Sequence, residues 1–240
     1  MKVMLVTGAS SGIGRAVAEL ALAEGWAVGL LARRKPELEE VAAGHEAAMV
    51  LPADVTDRAA VEGAVAALVD RFGRLDVLFN NAGIFTPQGA IDEIDPADWT
   101  RSVSVNLTGM FNAARAAFAQ MRAQGGGRIV MNGSISAQTP REGSVCYTAT
   151  KHGVTGMTKA LALDGRELGI CVGQIDIGNA RTPLVEALED RLRAEGKPLP
   201  ASMDVADAAR SVLYMASLPP EANVLFHTVM ATKMPFVGRG

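Results

Sequence analysis

Short apolar runs alternate along this chain with longer segments in which Ala, Leu and Val recur at helical spacing between charges. The runs 3–6, 27–31, 48–51, 75–79, 128–131, 170–175 and 224–229 predict strands. The segments 13–24, 37–43, 58–72, 97–124, 147–168 and 206–217 predict helices. The first strands carry no polar alternation, as expected of strands covered by helices on both faces of a parallel sheet. Strand–helix alternation from end to end predicts an α/β fold: a doubly wound, Rossmann-type, parallel seven-stranded sheet with helices on both faces. No composition shift, low-complexity tract or repeat marks a linker, so residues 1–240 read as one domain. The least regular stretch, 178–202, contains Pro183, Pro198 and Pro200 and reads as a substrate lid.

Directly after the first strand stands Thr7-Gly8-Ala9-Ser10-Ser11-Gly12-Ile13-Gly14. Two chemistries use such a strand–turn–helix. As Gly8-x-x-x-Gly12-x-Gly14 it is a phosphate cradle. Gly8 permits the tight turn, Gly12 lets the main chain approach a pyrophosphate, and Gly14 lets helix and strand pack closely. The helix N-terminus then offers unpaired N–H groups and a partial positive charge. As Gly8-x-Ser10-x-Gly12 it is a nucleophile elbow, whose oxyanion hole borrows an N–H from a loop after an earlier strand. No earlier strand is read here, and a triad of Ser10, Asp176 and His227 has no other support. The cradle is therefore preferred, with Ser10, Ser11 and Ile13 among its ligand contacts.

A dinucleotide site also requires a ribose reader about 20 residues further on, at the end of the second strand. That place holds Ala32-Arg33-Arg34. An alanine cannot bond the ribose 2′-hydroxyl, whereas two guanidiniums can clamp a 2′-phosphate, so NADP(H) is expected ahead of NAD(H).

Bulk composition narrows the class. A net charge of −3 speaks against a nucleic-acid partner. The 2 cysteines, Cys146 and Cys171, make neither a disulfide framework nor a thiolate zinc cluster. His45, His152 and His227 are dispersed, so no metal is expected. No window is apolar enough for a membrane span, no signal segment is read, and a cytoplasmic location is expected.

The glycine turn, Asn80-Asn81-Ala82-Gly83 after the fourth strand and Tyr147-x-x-x-Lys151 together resemble the short-chain dehydrogenase/reductase family. The resemblance runs in the family's order over nearly the whole chain. It implies a catalytic tetrad of Asn106, Ser134, Tyr147 and Lys151. Tyr147 and Lys151, four apart on a helix, share a face. A nearby ammonium favours phenolate, which would let the tyrosine act as general acid or base toward a carbonyl or alcohol. Ser134 would bond the same oxygen. The family's Asn, here Asn106, would hold a water that links Lys151 to solvent. Lys151 would also contact the nicotinamide ribose. By the same resemblance Asp54 and Val55 meet the adenine, while Asn81, Ala82 and Gly83 floor the adenosine ribose. Gly178 and Thr182 keep the places of the family's nicotinamide-binding Gly and Thr, but Ile177 replaces a proline.

Cleft walls are expected from loops 84–88, 135–145 and 183–200, with Arg141 a candidate partner of a substrate carboxylate. The C-terminus is similar to that of NADP-dependent 3-hydroxy acid and clavulanate-type dehydrogenases. Its apolar Met234, Phe236 and Val237 are expected to pack on a neighbouring subunit of a homodimer or homotetramer. The resulting expectation is an NADP(H)-dependent carbonyl reductase or alcohol dehydrogenase with a small-molecule substrate. A 3-oxoacyl-[acyl-carrier-protein] reductase is the alternative within the class, and a non-catalytic nucleotide-binding regulator the alternative outside it.

Overall fold

The structure, a computed structural model, describes residues 1–237; the last three residues of the expected tail, 238–240, lie outside it. In chain order the elements are β1 (Val3–Thr7), α1 (Gly12–Ala23), β2 (Ala27–Ala32), α2 (Lys35–Ala42), β3 (Ala48–Pro52), α3 (Arg58–Phe72) and β4 (Val77–Asn80). There follow α4 (Pro96–Val103), α5 (Met110–Gln124), β5 (Gly127–Asn132), α6 (Val145–Gly165), β6 (Ile170–Gly178), β7 (Ala180–Arg181), α7 (Pro183–Ala194), β8 (Met203–Asp204), α8 (Val205–Ser217) and β9 (Phe226–Met230).

Seven strands form one parallel sheet in the order β3-β2-β1-β4-β5-β6-β9. The order reverses between β1 and β4, and ligand crevices of open α/β sheets lie beyond the strand ends at such a point. Every residue of β1, β2 and β4 is buried, in keeping with their unbroken apolar runs. On one face α1 turns Val17, Ala18, Ala21 and Leu22 into a core shared with Val212 and Leu213 of α8. On the other, Leu68 of α3, Ala117 and Met121 of α5 and Val154 of α6 cover Leu5, Leu78 and Ile129. Leu68 is inaccessible to solvent, so Leu68→Ala would cost about 2–5 kcal/mol.

Three expectations are corrected. The segment 97–124 is not one helix: α4 and α5 are separated by a π-helical turn, Ser104–Gly109, and Asn106 lies within it. Such turns insert a residue into the helical ladder and recur at functional sites. The stretch 178–202 is not irregular. It contains α7, flanked by a small parallel pair of β7 and β8. Pro183 starts that helix, where its missing N–H costs nothing. Glu189 of α7 is 3% exposed, accepts from Ser202 Oγ at 2.8 Å and is faced by Arg181 and Arg193. Lastly, Met234 is 7% exposed and packs on this chain's own Ile135 and Ala231, with Phe236 against them, whereas Val237 is exposed.

Candidate active site

At the end of β1, Gly8 and Gly12 have positive φ, 72° and 56°, which glycine adopts without a steric penalty. A Cβ on Gly14 would lie 2.3 Å from Gly8 O and 2.6 Å from Asn81 Nδ2, so a bare α-carbon is needed where α1, the turn and the loop after β4 meet. A Cβ on Gly12 would lie 3.3 Å from Thr182 Cγ2, which puts the start of α7 beside the turn. Ser11, extended, makes no side-chain cap, and the first turn of α1 carries no acidic residue; Asp57, Asp95 and Asp204 cap α3, α4 and α8. The first N–H groups of α1 therefore meet no capping side chain, and the close-packed glycines leave room for a pyrophosphate at the positive helix end. These residues fit a dinucleotide.

Thr7, which the motif reading passed over, ties the turn to the next strand end. Its Oγ1 accepts from Asn81 N at 2.8 Å and Ala82 N at 3.0 Å, and its carbonyl accepts from Asn81 Nδ2 at 2.9 Å. Gly83 follows against Asn106 Oδ1, 3.4 Å from where a Cβ would stand. At the far side of the turn, Arg34 donates to Ser10 Oγ at 3.1 Å and pairs with Glu37 at 3.0 Å. Ser10 is thus engaged by the ribose-end arginine, far in the sheet order from His227 on β9, and no elbow exists. Arg33 faces Asp54 at 3.8 Å. Partial burial pushes the Asp54 carboxyl up, but hydrogen bonds from Thr56 N and Oγ1 and the charge of Arg33 outweigh it and hold it below its ordinary range. Val55 is buried, and its carbonyl accepts from Asn112 Nδ2 at 2.9 Å. An asparagine amid the alanines of α5 was the available signal for that clamp.

Of the four expected catalytic residues, Ser134 stands just after β5, Tyr147 and Lys151 stand in the first half of α6, and Asn106 lies in the π-helical turn. Lys151 is 3% exposed and donates to Asn132 O at 2.7 Å; its Nζ lies 5.5 Å from the centre of the Tyr147 ring. Burial pushes this ammonium down to about 8, with the Asp176 carboxylate opposing. Burial pushes the Tyr147 phenol up to about 12, while hydrogen bonding with Ser134 and the charge of Arg141 pull it down and Asp176 adds to the rise. Ser134 Oγ accepts from Ser136 N at 3.1 Å, and Ser134 N donates to Asp176 Oδ1 at 2.9 Å. The same carboxylate accepts from Gln174 and Gln138, each at 2.7 Å. Gly133 is bare because a Cβ there would fall 2.1 Å from Asp176 Oδ1. Asn132 Nδ2 donates to Asn81 Oδ1 at 2.8 Å, and Asn132 Oδ1 is a buried side-chain acceptor with no partner among the described residues.

The Asn106 side chain is tied to the loop after β4. Its Oδ1 accepts from Ile84 N at 2.7 Å and its Nδ2 donates to Ile84 O at 2.9 Å. The side chain thus holds the loop after β4, and its Nδ2 also approaches Ser102 Oγ at 3.4 Å and Thr150 Oγ1 at 3.5 Å. Gly178 is packed against Met230 and Met234, and Thr182 makes no side-chain cap at α7, whose first turn carries Glu186.

Beside Tyr147 opens a small cavity whose walls include Phe85, Gln88, Ser136, Arg141, Ser144 and Cys146; loops 84–88 and 135–145 contribute to it as expected, whereas the third expected wall, 183–200, does not. Phe85 stacks on the Tyr147 ring, centroids 4.3 Å apart. No cluster of three or more His, Cys, Asp or Glu among the described residues could hold a metal, and none of their helices is long and apolar enough to cross a membrane.

Residues 2–193 match the family described as short chain dehydrogenase. The chain is 38% identical over 228 residues to the cis-4-hydroxycyclohexanecarboxylate dehydrogenase of Sinomonas cyclohexanicum, with 90% of this chain and 89% of that protein covered. It resembles the 3-ketoacyl-(acyl-carrier-protein) reductase from Brucella melitensis complexed with NADH, at a TM-score of 0.87 and 29% identity over 96% of this chain and 97% of that one. The structure of ElxO with NADP bound gives a TM-score of 0.87 at 26% identity, covering 96% and 97%.

Proposed function

The chain belongs to the short chain dehydrogenase family, and on that premise we propose that it is an NADP(H)-dependent oxidoreductase interconverting a carbonyl compound and its secondary alcohol. The grouping of Ser134 and Lys151 around Tyr147, which lines the cavity, carries this reading. When bound, the reduced nicotinamide supplies a hydride to the carbonyl carbon. Everything else is work for the protein. Ser134 Oγ accepts from Ser136 N, and its hydroxyl, which hydrogen-bonds Tyr147, would turn its O–H to a carbonyl oxygen placed between the two. Tyr147, held protonated by burial, gives that oxygen its proton as negative charge develops. The ammonium of Lys151, 5.5 Å from the ring, stabilises the phenolate left behind. In the oxidative direction the same phenolate takes the alcohol's proton. Asn106 fixes the loop after β4 through Ile84, and any relay of protons to Lys151 would use its main-chain carbonyl.

The choice of NADP(H) rests on Arg33 and Arg34 at the end of β2, next to Ser10 and Asp54. One solved relative holds NADH and another NADP, and the two arginines are what favours the phosphorylated cofactor here. The segment 178–202 serves as the lid, since Thr182 at the start of α7 lies beside the glycine turn. A named relative that oxidises a ring alcohol supports a secondary alcohol or ketone as substrate. Acyl-carrier-protein docking would call for exposed basic residues, and Arg128 offers none, being buried and donating to Leu218, Pro219, Ala222 and Asn223.

Calorimetric titration with NADPH and NADH, followed by a ketone panel read by NADPH absorbance, tests the reading. NADPH should bind at least about tenfold tighter, and Arg33→Ala with Arg34→Ala should remove the difference. Tyr147→Phe should lower kcat by about 100-fold or more. NADH binding as tight as NADPH would end the arginine argument, and full activity of the phenylalanine variant would end the mechanism.

A further inference from the structure

Phe85 lies flat on the Tyr147 ring, the planes 18° apart, yet it is itself 55% exposed. A large apolar side chain left half in water gains little for the fold by burial. This one is nevertheless held in place from both ends. Directly before it, Ile84 N donates to Asn106 Oδ1 and Ile84 O accepts from Asn106 Nδ2, so one buried amide grips both polar groups of the preceding residue. Four residues beyond it, Gly89 N donates to Gly143 O at 3.1 Å, in the loop that leads into α6. A Cβ on Gly143 would lie 3.2 Å from Gly89 N, so the two loops meet backbone to backbone. Between these anchors Phe85, Thr86, Pro87 and Gln88 line the cavity beside Tyr147 and bring no charge to it.

Rings stacked with their centroids 4.3 Å apart leave no room for water between them. The titratable and charged groups around the phenol are Lys151 on the same helix, Arg141 in the loop before it, Asp176 on β6 and the buried Cys146 thiol one residue back. Burial acts on the phenol more strongly than any of these charges. We infer that Phe85 is a positioning residue for Tyr147: hung between Asn106 and Gly143, it covers one face of the ring, keeps water from that face and fixes the plane in which the hydroxyl meets the substrate oxygen. This inference rests on the oxidoreductase reading above. It also gives the π-helical turn a task, since the Asn106 amide acts on Tyr147 through Ile84 and Phe85.

The test uses the whole protein with its preferred nicotinamide cofactor, NADPH or NADH, and the fastest ketone of the panel above, cyclohexanone among them. Removing the ring hydrates the phenol, and a hydrated phenol is the stronger acid. In ketone reduction Tyr147 must start protonated, so activity falls as pH rises through its pKa. Phe85→Ala should therefore move the alkaline fall of kcat/KM to lower pH by about one pH unit. It should also lower kcat near neutral pH by about 3- to 10-fold with little change in KM. Phe85→Tyr restores a stacked ring and should restore the alkaline limb, with Phe85→Leu, apolar but without a flat face, between the two. Should Phe85→Ala be too slow to profile, Phe85→Leu carries the comparison. An alkaline limb that coincides with that of the unsubstituted protein, or lies above it, overturns the cover while leaving the oxidoreductase reading intact. If no ketone is turned over with either cofactor, that reading fails, and the cover is judged by tyrosinate absorbance in Tyr214→Phe, whose one remaining tyrosine is Tyr147. Ionisation at lower pH when Phe85→Ala is added sustains it, and coincident titrations overturn it.

Discussion

Replacing Lys151 by methionine should flatten the alkaline stability profile of the cofactor-free protein. Lys151 is nearly inaccessible, and burial lowers its ammonium from the ordinary 10.5 to about 8. Between those two values the unfolded chain binds a proton that the folded chain does not, so stability rises with pH across the window. Below about pH 8 the folded protein carries the whole penalty. At about 1.4 kcal/mol for each tenfold change in acidity constant, that penalty is about 3 kcal/mol. Methionine carries no such proton and fills similar volume. It leaves Asn132 O without the Lys151 donor, a loss of about 1–3 kcal/mol at any pH. Near neutral pH the two effects oppose, and Lys151→Met should be as stable as the unsubstituted protein or up to about 2 kcal/mol more stable. By pH 10 the unsubstituted protein should have gained about 2–3 kcal/mol on the variant. Above that the slope turns, because Tyr147 keeps its proton to about 12 and the unfolded chain loses its own sooner. Urea unfolding followed by circular dichroism at intervals from about pH 7 to 10 measures both proteins. Parallel profiles would refute the reasoning, since Lys151 would then titrate alike in the folded and unfolded chains.

Other outcomes are expected elsewhere in the molecule. Gly14→Ala drives a methyl to 2.3 Å from Gly8 O and should cost about 1–3 kcal/mol in urea unfolding, together with a marked loss of NADPH affinity by calorimetry. Thr7→Val removes the acceptor shared by Asn81 N and Ala82 N; thermal denaturation should show a melting point lower by about 4–10 °C for a loss of about 2–3 kcal/mol. Asp176→Asn keeps the volume but turns an NH2 toward one of three neutral donors, and should cost about 1–3 kcal/mol while lowering kcat more than it raises KM. An Asp176→Asn protein with unchanged stability would show that the carboxylate is not needed as an acceptor there.

Most of the fold could be read from periodicity because both faces of the sheet are covered by helices. The run from Val3 to Val6 and the spacing of Val17, Ala21 and Leu22 are direct imprints of burial. The motif residues were legible because their types are unusual for their settings, a phenol and an ammonium four apart on a helix that otherwise packs. What stayed hidden was tertiary. A π-helical turn at Asn106 leaves no trace in a hydrophobic pattern that continues across it. Pro183 suggests irregular chain, yet at a first helical position it is compatible with α7. The roles of Thr7, Asn112 and Asp176 depend on partners 75, 57 and 42 residues away, Ala82, Val55 and Ser134, and no local spacing encodes them. The apolar tail was readable as needing cover, but not as finding it on Ile135.

One polar chain crosses the middle of the sheet: Thr7 holds Asn81, Asn81 accepts from Asn132, and the carbonyl of Asn132 receives Lys151. Its members come from the ends of β1, β4 and β5 and from α6, more than half the sequence apart. No contiguous fragment that stops before α6 can assemble it, and no locally opened form that frees one of those strands can keep it. Catalytic competence should therefore appear last during refolding and vanish with the cooperative transition during heating. Residual activity becomes a direct count of intact molecules.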